Sequence, residues 1–147
     1  MTRRSTARRL AAALGLATLT IACGGGSAPT SSAGGGGGRA TSHNAGRDCL
    51  SCHRDFGVAG TAYRGDGSAA QGAVVRLTTA ANGGGSVVLS LTSDAAGNFY
   101  ASRSVGFGSG LYTDVAGASG SPRAMTAVVT SGACNSCHDS RNRIRAD

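Results

Sequence analysis

The chain has 147 residues, with 14 Arg, 7 Asp, no Lys and no Glu, and a formal net charge of +7. Four of its arginines (Arg3, Arg4, Arg8, Arg9) lie in the first nine positions, and without them the excess falls to +3, which excludes the basic patch that nucleic-acid binding requires. With 25 Gly, three Phe, three Tyr and no Trp, the remainder is enough for one small domain with a thin aromatic core.

In chain order, the early arginines form a positive n-region, and Leu10 to Ala22 is an apolar stretch too short to span a bilayer. It ends in Thr20-Ile21-Ala22-Cys23. This resembles a bacterial lipoprotein signal, with Thr20 standing where such signals usually carry an aliphatic residue. The resemblance implies that residues 1–22 are a signal peptide, that Cys23 is lipidated, and that the protein is exported and anchored in the cell envelope. Gly24 follows Cys23, and with no Asp there to favour inner-membrane retention, the resemblance implies the outer membrane, facing the periplasm or the cell exterior. Residues 23–42 are dominated by Gly, Ser, Ala and Thr, cannot bury a core, and read as a flexible tether.

The folded part is expected over residues 43–147, divided into a first segment (43–56), a β-domain (57–130) and a closing segment (131–147). Alternating apolar and β-branched runs predict strands over 57–64, 73–79, 86–92, 98–102, 111–115 and 125–130. Turn signals separate them: Gly65-Asp66-Gly67, Asn82-Gly83-Gly84-Gly85, Asp94-Ala95-Ala96-Gly97 and the Gly-rich run from Gly106 to Gly110. The fold class is therefore mainly β, a small antiparallel β-sandwich. Gly72-Ala73-Val74-Val75-Arg76-Leu77, followed by Ser93-Asp94-Ala95-Ala96-Gly97-Asn98-Phe99, resembles the carboxypeptidase regulatory-like (transthyretin-like) β-sandwich, which implies a fold and almost nothing about function. The basic end, Asp139 to Asp147, reads as a frayed tail.

Two Cys-x-x-Cys-His motifs bracket the β-domain: Cys49-Leu50-Ser51-Cys52-His53 and Cys134-Asn135-Ser136-Cys137-His138. Each reads as a c-type haem attachment site, in which both thiols add to one porphyrin and the His ligates its iron. Of the five cysteines, Cys23 is the lipid candidate and four make the motifs, so the count leaves none for a disulfide. Structural zinc is the first rival, but zinc knuckles are usually separated by about 15–20 residues. A dithiol redox site is the second, and it usually sits in a βαβ context. Neither explains a His at both fifth positions.

The stretch from His43 to His53 resembles multihaem cytochromes c, in which an upstream His serves as distal ligand. That resemblance implies His43 as an axial ligand, with crossed ligation to the other haem as one option. Beyond the leader, only His43, His53, His138 and Met125 remain as candidate axial ligands. A His/His haem would have a low potential and a His/Met haem a higher one. The expected protein is an electron carrier rather than an enzyme: a di-haem lipoprotein serving redox protein partners or extracellular electron acceptors, with self-association as an option. An adhesion module with accessory haems and a peroxidase-like haem enzyme are the alternatives. About six strands between the motifs, an even number, would return the chain to one end and place the haems side by side.

Overall fold

A computed structural model describes residues 41–118 and 120–147. The expected signal peptide, the lipidation candidate Cys23 and nearly all of the tether lie outside the described residues. Among the described residues, seven strands form two sheets packed face to face: β1 (Val58–Tyr63), β2 (Val74–Thr78), β3 (Val87–Thr92), β4 (Asn98–Ala101), β5 (Tyr112–Ala116), β6 (Arg123–Ala124) and β7 (Ile144–Arg145). One sheet has the order β4-β1-β7 and the other β3-β2-β5-β6. The protein is thus a small β-sandwich, as the alternating runs predict.

The core lies between the sheets. Val58, Ala62, Phe99 and Ala101 from one sheet meet Val75, Leu77, Leu89 and Val115 from the other. Their period of two along each strand is what places them on a common face. Phe99 is the largest fully buried side chain. It lies opposite Gly60 in the antiparallel β1–β4 register, and a Cβ on Gly60 would stand 2.5 Å from the Phe99 ring and 2.9 Å from Cys134 Cβ. The glycine is therefore a steric requirement: the ring occupies the space that any other residue would fill.

The Ser93-to-Phe99 pattern folds as its residues dictate. The buried Ser93 hydroxyl accepts from Ala73 N–H at 2.9 Å and donates to the Ala70 carbonyl, closing the turn that precedes β2. Asp94 Oδ1 accepts from the backbone N–H groups of Ala96 and Asn98, both at 2.9 Å, shaping the crossing from β3 in one sheet to β4 in the other.

Asp114 on β5 is 1% exposed and pairs with Arg76 on β2 at 2.8 Å, directly across the register. Its other oxygen, Oδ2, has no hydrogen-bond partner among the described residues. The carboxylate therefore depends on one guanidinium. Arg76→Ala is expected to cost about 3 kcal/mol, because a buried charge is left unpaired, whereas replacing both partners with leucine restores most of that loss. Urea denaturation of the two variants checks this.

Two expectations are corrected. The strand expected over 125–130 is absent. Pairing with β5 falls earlier, at Arg123–Ala124, and beyond it only Val129 makes an isolated bridge, to Leu111. Thr126, Ala127 and Val128 are exposed, so burial does not reward their alternation. The C-terminal end is not a frayed tail. Ile144–Arg145 pairs in parallel with Ala62–Tyr63, Ala146 donates to the Tyr63 carbonyl at 2.8 Å, and Arg143 lies 4.5 Å above the Tyr63 ring. Ala146 is buried against the core.

Candidate functional site

Both Cys-x-x-Cys-His segments pack against β1. The six strands β1–β6 separate them in sequence, and the sandwich returns the second to the strand that directly follows the first. The first segment forms a 3-10 turn over Cys49–Ser51. Asp48 begins it, its carboxylate accepting from Leu50 N–H at 3.0 Å, and His53 N–H closes it on the Cys49 carbonyl at 2.9 Å. The second segment forms a single helical turn, α1 (Cys134–Cys137), closed by His138 N–H on the Cys134 carbonyl at 3.0 Å. In each, the turn sets both cysteines and the histidine on one short stretch of backbone.

The second segment is spliced into the edge of a sheet. Ala133 bridges to Ala59 in parallel, α1 then interrupts the line, and β7 resumes it opposite Ala62 and Tyr63. Opposite the interruption lies Thr61, whose N–H turns to the same edge as that of Ala59. Ala59 N–H finds the Gly132 carbonyl at 2.9 Å, and Thr61 N–H finds Oδ1 of Asn135 at 3.2 Å. Asn135, 3% exposed, stands in for the missing strand.

Its amide nitrogen reaches the first segment. Nδ2 donates to the Arg47 carbonyl at 3.0 Å and lies 3.7 Å from Cys49 Sγ. The segments also touch at Gly46, in the left-handed region at φ +78°, where a Cβ would stand 2.7 Å from Ser140 N. That approach and that φ both demand glycine.

The candidate axial ligands separate into groups. His43 lies beside His53, ring centroids 5.8 Å apart and nearly perpendicular. His53 stacks on Phe56 at 4.8 Å, and Phe56 on Tyr100 of β4 at 4.5 Å, so parallel rings hold the His53 plane. Phe56 and Tyr100 were not legible as site residues; the contact rests on the pairing of β1 with β4. His138 Nδ1 lies 3.0 Å from the Asn142 carbonyl. A carbonyl can only accept, so Nδ1 carries the proton and Nε2 keeps the lone pair that a metal takes. The turn that presents Asn142 is held by Asp139, whose carboxyl lies below the usual range because Arg141 and Asn142 N–H groups donate to it. Met125 is placed by the other sheet. It follows β6 at the edge of the other sheet, its N–H bonded to the Thr113 carbonyl at 2.8 Å.

The cysteines also differ. Burial, with Cys49 and Asp48 adding to it, pushes the Cys134 thiol up to about 12, and burial followed by Asp48 raises Cys49. Cys137 is exposed.

In the protein without haem, maleimide at pH 8 is expected to label Cys137 rapidly and Cys134 slowly, since a thiol with pKa near 12 is only about one part in ten thousand thiolate. Labelling followed by peptide mapping reads this directly. The same shift makes stability depend on pH. The folded pKa is raised, so this contribution is whole below about 9 and is lost as pH rises from there toward 12.

Among the described residues, no three of His, Cys, Asp and Glu gather as a bare metal ion would require. Compared with known proteins, the chain matches no family model, no curated protein and no solved structure.

Proposed function

We propose that the protein is an electron carrier holding two covalent c-type haems side by side on the motif-bearing edge of its β-sandwich. The observation that carries this reading is the packing of both Cys-x-x-Cys-His segments on β1, linked by Asn135. Two such segments far apart in sequence and adjacent in space suit transfer between neighbouring redox centres better than they suit two unrelated roles.

The donor set suits haem. Each iron needs one or two protein ligands, which accords with dispersed histidines rather than a compact cluster. Cys49, Cys52 and His53 would hold the first group, with His43 beside His53 as the second ligand. Cys134, Cys137 and His138 would hold the other, with His138 Nε2 as ligand. Bound haem supplies reversible one-electron chemistry, while the chain sets distance, ligation and exposure. The Phe56–Tyr100 stack would hold the plane of His53, and the Asn142 carbonyl that of His138.

Export, lipidation of Cys23 and outer-membrane anchoring complete the proposal, with redox proteins or extracellular acceptors as partners. The deciding experiment is a pyridine haemochrome assay on protein expressed with the haem-attachment machinery. Two haems per chain are expected, and none would overturn the reading.

A further inference from the structure

We propose that Asn135, the first intervening residue of the second motif, is a positioning residue that locks the two motif segments and β1 into one unit. On the di-haem reading, on which this part rests, it thereby sets the spacing of the haems. The role follows from what each end of one amide does. Oδ1 satisfies Thr61 N–H, the strand donor left without a ladder partner where α1 interrupts the sheet edge. Nδ2 satisfies the Arg47 carbonyl, two residues before Cys49, and also lies 3.4 Å from the Thr61 hydroxyl. That hydroxyl in turn donates to Asn98 Oδ1 on β4 at 3.0 Å.

The network therefore runs from β4 through β1 and α1 to the first segment. An amide suits the position because it presents an acceptor and a donor at once. Aspartate keeps the acceptor for Thr61 but turns a second oxygen toward the Arg47 carbonyl, whereas alanine loses both bonds. Nothing in the Cys-x-x-Cys-His pattern itself asks for asparagine here, since the intervening positions have no part in thioether chemistry.

The test compares wild type, Asn135→Ala and Asn135→Asp as purified holoprotein. Two adjacent haems give a bisignate circular-dichroism couplet in the Soret band, whose amplitude depends on their separation and angle. Both variants are expected to keep two haems and to lose couplet amplitude. An unchanged couplet in a variant with two haems overturns the assignment. A second readout does not depend on haem: amide hydrogen exchange over residues 44–53 should quicken about tenfold, while β2–β5 amides stay unchanged. Unchanged exchange over 44–53 also overturns it. Asn135→Asp keeps the Thr61 bond, so it preserves the test if the alanine variant does not fold. A wild type with no covalent haem sinks the di-haem reading while leaving the exchange result to judge Asn135.

Discussion

Cys134→Ala/Cys137→Ala is expected to reduce the haem content from two to one, and Cys49→Ala/Cys52→Ala to do the same at the other site. Each motif closes its own backbone turn, with His53 bonded back to Cys49 and His138 back to Cys134, so each attachment site is locally complete. The two variants should differ in stability. Cys134 packs against the core beside Gly60 and Phe99, so its loss removes buried contact, at roughly 1 kcal/mol. Cys52 is exposed and Cys49 only half-buried, so their loss costs the sandwich less. In both variants the midpoint of the remaining haem should shift, because a nearby charge that changes with redox state has been removed. Haemochrome counting and a redox titration read these effects. Loss of both haems from either variant would contradict independent sites.

Phe99→Ala is expected to cost about 3–5 kcal/mol. A domain of this size has about 5–15 kcal/mol in total, so the variant should be partly unfolded at moderate temperature. The cost is high because Phe99 is the largest fully buried side chain and because Gly60 opposite it cannot fill the space. The cavity would also open beside Cys134. Maleimide labelling of Cys134 should then quicken along with the drop in denaturation midpoint, linking the core to the second motif. A Phe99→Leu variant, which keeps much of the volume, should recover a large part of both.

The strands from β1 to β5 are legible in the sequence because burial rewards their alternation. Val75 and Leu77 face the core while Val74 and Arg76 do not, and the pattern shows it. The stretch after Met125 has the same alternation without the same reward, since Thr126, Ala127 and Val128 stay exposed. β7 has the opposite problem: two residues that alone carry no periodicity become a strand because β1 offers a free edge.

The candidate site divides in a similar way. The cysteines and histidines are spelled out by spacing, and the proximity of His43 to His53 follows from nearness in the chain. The meeting of the two motifs, the stack through Phe56 to Tyr100 and the part played by Asn135 depend on partners far off in the chain, 88 residues for Asn135 and Arg47. The axial role expected of Met125 rests on a count of ligands, and its place directly after β6 was not part of that count.

The placement of β7 and Ala133 along β1 has a consequence for how the protein is made. A chain made from its N-terminus presents the first motif early, yet the strand behind that motif obtains its last partners only from residues 132–146. Closure must wait for the final stretch to emerge, and pairings of such long sequence separation form slowly. During that interval the edge of β1 behind the first motif stands unfinished. Residues 132–146 therefore work as a latch on β1, and the edge behind the first motif is complete only once they dock.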